Sequence, residues 1–493
     1  MKGIVYYPAT WHGDVRPETE WNFQNIFRSM GANWVRLHLE CNQENGTSVK
    51  VVCRSDATLL GEEYKKVVRM AHEAGFRVMV ETMITIDNDP NGFWHGDIGK
   101  NVSKENWDLW WASYTKVILM YAKLAEENGV EYIVIGSELD NTYRYEQDWR
   151  NLIRQVREVY HGGVTVAYDV EDAIQQTQFW DALDSIGVHP YYFELPGVKD
   201  PTIEQLTEEF RPQMQMLEEL SIKWNKPVIL TEVGVWSSEG FLQNTNSAYS
   251  NDEIDLQDQA NMFQAVFELF WGKPWVQGIF PYAIFGNTNF AEPWNIHNDF
   301  LRKPAGDVIR SFYGVSPLAT PTPVIYPSTT PEHVEVIYDD SLQADWRIKS
   351  PDGRSNISDH EQTEISKSGK ALKVKLLIFE TMDFNSQLYD YFKEVQWIDF
   401  DIYVDPSSLS AVSIIDVVLR DSSYYSSPFR VELTQTQFIE GGKLQPGTWQ
   451  HVKIPVDVFG PLFGNYITLS FSNFGAEDKP IVFYLDNIQL SKK

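Results

Sequence analysis

Over the first two thirds of the chain, short apolar runs rich in β-branched residues alternate with longer stretches whose apolar positions recur every three to four residues. The runs at 3–7, 34–39, 77–82, 132–136, 164–168, 185–189, 228–231 and 277–282 predict eight strands. Helical spacing fills 62–74, 104–127, 147–160, 202–224, 253–270 and 303–313. Strand and helix in alternation over about 310 residues predict an α/β fold, a (β/α)8 TIM barrel. The pattern then breaks at Leu318-Ala319-Thr320-Pro321-Thr322-Pro323 and Tyr326-Pro327-Ser328-Thr329-Thr330-Pro331. Pro/Thr-rich sequence builds no core and acts as a stiff spacer. Beyond it, period-two runs at 371–377, 397–404, 412–419, 429–434, 450–454, 466–472 and 481–490 predict an all-β sandwich of the jelly-roll kind. The expected organisation is therefore a barrel at 1–315, a linker at 316–333 and a sandwich at 334–493.

Length agrees, since 493 residues exceed the roughly 250 to 300 that one core organises. The aromatic share of 14% suits either sugar-stacking surfaces or a large aromatic core. A net charge of −28 repels phosphate backbones and anionic headgroups, which argues against nucleic-acid and membrane-surface partners. No apolar run approaches the roughly 18 residues of a membrane span. The chain enters a strand-like segment at once, with no apolar stretch for a leader. The expectation is a secreted or cell-surface protein whose leader is absent from this sequence, with a cytoplasmic protein as the alternative. Cys41 and Cys53 share one loop-like segment. A disulfide there fits export and two free thiols fit a reducing compartment, and both stay open at this point.

In a TIM barrel, functional residues sit just past the C-terminal ends of the strands. Past the fourth lies Ile135-Gly136-Ser137-Glu138-Leu139-Asp140, and past the seventh Leu230-Thr231-Glu232-Val233-Gly234. A glycosidic bond needs two carboxyl groups, one to protonate the leaving oxygen and one to attack the anomeric carbon or activate water. Glu138 and Glu232 are the candidate pair; either one alone would read equally well as a rim salt bridge.

These residues resemble glycoside hydrolase clan A, the retaining superfamily with Glu after strands four and seven. Trp34-Val35-Arg36-Leu37 looks like its strand-two segment, where the Arg supports the nucleophile, and His189-Pro190-Tyr191 looks like its His-x-Tyr, where the Tyr bonds the nucleophile. The stretch from Ile135 through Arg144-Tyr145, Trp149-Arg150 and Tyr160-His161-Gly162 is similar to glycoside hydrolase family 113. That resemblance covers roughly 1–312 and implies endo-β-1,4-mannanase activity on a polysaccharide or oligosaccharide, with Glu138 as acid/base, Glu232 as nucleophile and no cofactor for catalysis. A β-glucanase of the same clan and a non-catalytic carbohydrate-binding barrel are the rival expectations. Two positions depart from the clan pattern. Ser137 replaces the usual Asn that contacts the sugar 2-hydroxyl, and strand eight offers Tyr282 and Phe285 where a Trp platform is usual, with Trp294 in the next loop.

Expected substrate-binding residues are thus Trp11, Arg36, Ser137, His189, Tyr191, Trp236, Tyr282 and Trp294; Trp94, Glu81, Asp87 and Asp169 are weaker candidates. The C-terminal segments Ile337-Tyr338-Asp339-Asp340, Gly447-Thr448-Trp449-Gln450 and Phe483-Tyr484-Leu485-Asp486 resemble jelly-roll carbohydrate-binding modules. That resemblance implies a structural calcium held by Asp339, Asp340 and Asp486, and glycan contacts from Tyr389, Tyr391, Tyr424 and Tyr425.

Overall fold

The computed structural model describes the chain except residues 9, 12–13, 55–57, 88, 90–91, 101, 170, 191–194, 244–253, 287–297, 302, 317–332, 351–356, 378–379, 388–390, 409–413, 422–426, 428–429, 435, 437, 461, 463–464, 474–479 and 493. It divides into two compact units, Met1–Leu318 and Ala319–Lys493.

The first unit is a TIM barrel. Its strands are β1 (Val5–Tyr7), β2 (Trp34–Gln43), β3 (Arg77–Ile86), β4 (Tyr132–Ser137), β5 (Gly163–Tyr168), β6 (Ile186–Val188), β7 (Val228–Val233) and β8 (Val276–Pro281). Each pairs in parallel with the next. A two-residue continuation of the last strand, Ile284–Phe285, pairs with β1, and Gly3 N donates to Ile279 O at 3.0 Å, so the ring closes. The main helices behind it are α1 (Gly61–Glu73), α2 (Lys104–Glu127), α3 (Glu146–Arg157), α4 (Ile203–Trp224), α5 (Leu256–Phe270) and α6 (Pro304–Tyr313). The helix expected from 253 starts at Leu256, because the Asp255 side chain accepts from Gln257 N and Asp258 N and caps it there. The second and third strands outrun their expected ends. They stay in register to Gln43↔Ile86, since Thr82 and Thr85 suit a strand even where the apolar run has ended.

Strand periodicity sorts the side chains. Val35, Leu37 and Leu39 face the helices, whereas Trp34 packs inside with Val5, Met79, Tyr132, Val134, Ile229 and Phe280. The same alternation turns Arg36 and Glu81 inward. Cys41 and Cys53 form a disulfide, which closes the question left open by the sequence.

The second unit holds two antiparallel sheets. One contains β9 (His333–Tyr338), β11 (Ala371–Leu376), β13 (Val395–Val404), β15 (Gln450–Pro455) and β17 (Ile481–Lys492), with β17 between β11 and β13. The other orders β10 (Trp346–Lys349), β12 (Thr381–Ser386), β16 (Tyr466–Asn473) and β14 (Ile415–Asp421). Ile337, Trp346, Phe384, Phe400, Phe471 and Phe483 lie in one core between them. The strands at 333–338, 346–349 and 381–386 escaped the sequence pattern, the last although Met382 and Phe384 alternate with Asp383 and Asn385.

Candidate active site

Glu138 follows β4 directly, in a left-handed conformation with φ of 51°, and its N–H donates to Ala167 O at 2.8 Å. That backbone costs a non-glycine residue on the order of 1 kcal/mol. It is held because β4 is pressed onto helix α3. At Gly136 a Cβ would come within 2.4 Å of the Trp149 ring, so only glycine permits the approach. Glu232 lies in β7 itself. Both side chains are largely buried, and one oxygen of each, with a His189 ring nitrogen, lies within 4.8 Å of the others.

A buried ion network surrounds the pair. Arg36 reaches Glu232 Oε2 with Nη2 at 2.6 Å and pairs with Glu81 through Nη1. Ser137 Oγ donates to Glu81 Oε1 at 2.8 Å. His189 Nδ1 lies 2.7 Å from Glu138 Oε1, and His95 Nε2 lies 2.6 Å from Glu138 Oε2. Burial works against His189 carrying charge, yet Glu232, Glu138 and Glu81 raise its pKa well above an ordinary histidine's. Burial likewise disfavours the charged forms of Glu81 and Glu138. For Glu81 the Arg36 and His189 charges win and hold it at about 2, and for Glu138 the hydrogen bonds from His189 and His95 win and hold it well below the carboxylate range. The Tyr7 and Tyr282 hydroxyls meet at 2.7 Å, and burial raises both far above an ordinary tyrosine.

Of the residues expected from the sequence, Arg36, Ser137, Glu138, His189, Glu232 and Tyr282 belong to this one neighbourhood. Ser137 spends its hydroxyl proton on Glu81. Trp236 is half-buried and parallel to Phe241, with ring centroids 6.1 Å apart. Trp11 lies in a short hairpin of Thr10–Trp11 with Asp14–Val15, and its side chain is outside the described set. Tyr191, Trp294, Tyr389, Tyr424, Tyr425 and the Tyr391 side chain fall outside the described residues too. Asp87 accepts from Asn42 Nδ2 at 2.9 Å on the rim, and Asp169 is pushed up to about 10 by burial, by Asp140 and by Glu138.

Sequence reasoning missed three things. Glu81 is the hub of the network rather than a peripheral acid, and its inward position on β3 was the available signal. Tyr7 ends β1, and Tyr282 directly follows β8. His95 sits in an irregular one-turn helix, His95–Asp97, that no periodicity marks.

For metal binding, the space between Glu81 and Glu232 already holds the Arg36 guanidinium. A separate group, Asp200, Glu239 and Asp255, gathers three carboxylate oxygens within 4.8 Å. Asp339, Asp340 and Asp486 form no such group among the described residues. Asp486 Oδ2 accepts from Lys367 N and Ser368 N, each at 3.2 Å, and Asp340 Oδ1 accepts from Lys370 N. Both carboxylates thus order one turn.

Two buried carboxylates converging at the mouth of a β/α barrel are the architecture of a glycoside hydrolase. The chain belongs to glycoside hydrolase family 113, whose model matches residues 8–285. A solved family 113 β-1,4-mannanase is 25% identical with a TM-score of 0.56, the match covering 64% of this chain and 98% of that one. The family 113 β-mannanase AaManA of Alicyclobacillus acidocaldarius, solved in complex with ManMIm, is 24% identical with a TM-score of 0.55 and the same coverage, and shares the fold. No curated protein matches the chain. Among the described residues no helix is long and apolar enough to cross a membrane.

Proposed function

We propose that this glycosidase cleaves a β-1,4-mannan within the polymer, retaining the anomeric configuration, with Glu232 as nucleophile and Glu138 as acid/base. The observation that carries the mechanism is the approach of the two carboxylates to within 4.8 Å. With one oxygen of each that near, the pair is closer to the spacing of about 5 to 5.5 Å between carboxyl groups in retaining enzymes than to the wider gap of inverting ones, which supports this reading. Arg36 fixes Glu232 Oε2 and stabilises its negative charge. Glu232 attacks C1 as the glycosidic C–O bond breaks, and Glu138 supplies the proton to the leaving oxygen. In the second half-reaction water gives its proton to Glu138 and attacks C1, which frees Glu232. Mannan as substrate rests on the family and on its mannanase relatives, endo action on the family resemblance.

The C-terminal sandwich acts as a carbohydrate-binding module in this reading, and the protein works outside the cell, where the Cys41–Cys53 disulfide persists. Reducing-sugar release from soluble β-mannan, β-glucan and β-galactan tests the substrate, with NMR of the first anomer formed. Mannan oligomers of retained configuration are expected. Release from β-glucan alone overturns the substrate, an inverted first product overturns the mechanism, and silence on every glycan favours a binding protein.

A further inference from the structure

The roles given to Glu138 set a problem that the geometry resolves. An acid must hold a proton, yet both Glu138 oxygens face an imidazole, His189 Nδ1 at Oε1 and His95 Nε2 at Oε2. The two contacts are not equivalent. His189 is fully buried and its other nitrogen lies 3.7 Å from Glu81 Oε2, so the whole ring is tied into the network. The His95 side chain is 19% exposed and belongs to a short turn at the mouth, beside the exposed Trp94. Oε2 is therefore the oxygen open towards substrate, and His95 is its partner until substrate arrives.

Charge counting leads to the same place. With His38 neutral, Arg36 and protonated His189 contribute two positive charges, while Glu81, Glu138 and Glu232 contribute three negative ones, so the buried cluster is one charge short of neutral. One further proton on the His95–Glu138 contact balances it. His38 on β2 also comes within 4.8 Å of Glu81 and Glu232, and the remaining neighbours add negative charge or none. Glu40 on β2 lies 3.4 Å from His38 Nε2 and feels the charge of His95 more weakly, the end of β8 presents Tyr282 to Glu138, and Asp169 with Asp140 borders Glu138 after β5 and β4.

We propose that the acid proton of this enzyme is held jointly by His95 Nε2 and Glu138 Oε2, which makes His95 a positioning residue for that proton. This rests on the roles proposed above for Glu138 and Glu232. The resting pair holds a single proton, drawn to the imidazole side. As Glu232 forms its bond to C1 and the glycosidic bond breaks, the proton passes through Oε2 to the leaving oxygen and both members of the pair become neutral or anionic in their unprotonated forms. The attacking water returns one proton to the pair, so the cycle balances without an outside acid.

A shared proton has a signature that neither residue gives alone. Glu138 beside a protonated imidazole ionises early, yet the pair as a whole surrenders its last proton late, at a pH belonging to both groups. The test uses the full chain with His95→Gln and His95→Ala, read two ways. One is the pH profile of kcat/KM on mannohexaose. The other is the titration of the Glu138 carboxyl carbon by NMR of 13C-glutamate-labelled protein, assigned by its loss in Glu138→Gln. In both variants the Glu138 signal should titrate at higher pH than in the wild type, while the alkaline limb of activity falls by about one pH unit or more. On 2,4-dinitrophenyl β-mannoside, whose leaving group needs no acid, formation of the glycosyl-enzyme should keep its alkaline limb. A limb that rises together with the Glu138 signal, or one that stays put while the signal is unmoved, overturns the proposal. If wild-type protein cleaves none of the glycans, the proposed function fails, and an unmoved NMR titration in His95→Gln still overturns the sharing by itself.

Discussion

Arg36 Nη2 and Glu232 Oε2, 196 residues apart in the chain, meet at 2.6 Å where neither side chain is more than 8% exposed. The same guanidinium engages Glu81 through Nη1, so one residue neutralises part of two carboxylates and fixes the direction of each. A fork does this and a single ammonium does not. Arg36→Lys should fold, since charge is conserved, but lose about 10²-fold or more in kcat with a small change in KM. Arg36→Ala should cost about 3–5 kcal/mol of stability as well, because two buried carboxylates lose their partner. Steady-state kinetics and urea unfolding separate the two effects, and wild-type kcat in Arg36→Lys would refute the orienting role.

The assignment of Glu138 and Glu232 separates on a good leaving group. Glu138→Ala should still form the glycosyl-enzyme from an activated aryl glycoside while losing polysaccharide turnover, whereas Glu232→Ala should lose both. Added azide gives a β-glycosyl azide with the first variant and an α-azide with the second. The opposite pair of products by NMR would mean that the roles are reversed.

Asp258 opens a pH dependence away from the proposed chemistry. Burial, then Asp255, Asp200 and Glu239, push it up to about 7. A carboxyl whose folded pKa is raised binds more protons folded than unfolded, so the native state loses stability as pH climbs from about 4, its unfolded value, through 7. Asp258→Asn removes the charge that must otherwise form. Its Tm should exceed the wild type's at pH 8, with the advantage gone at pH 4. An equal difference at both values would show that Asp258 does not titrate in that window.

The split at Leu318 makes the barrel a separable piece. Residues 1–318 alone should fold, cleave short soluble substrates with near wild-type kcat, and lose activity mainly on insoluble polymer. Circular dichroism and assays on both substrate forms check this. A truncated barrel that unfolds, or is inactive on oligosaccharides, would show that the two units depend on each other.

What the sequence determined by itself is whatever local periodicity encodes. Strand and helix periods placed the eight barrel strands, and the barrel rule then picked out Glu138 and Glu232, because strand ends can be read from the point where an apolar run stops. The Pro/Thr tract was read as a linker for the same reason, that it has no core-forming pattern, and it lies outside the described residues. Arg36 and His189 were reached only through resemblance, as was Ser137, whose hydroxyl donates to Glu81. The tertiary structure decided who meets whom. Glu81 becomes central because parallel register sets β3 beside β2 and turns both inward residues to one point. His95 reaches Glu138 across 43 residues from a turn with no periodic signature. Asp340 and Asp486 likewise meet the N–H groups of one turn that only folding brings to them. Hydrophobic pattern fixes which face of an element is buried, whereas the partner of a buried charge depends on register and closure, which no single segment contains.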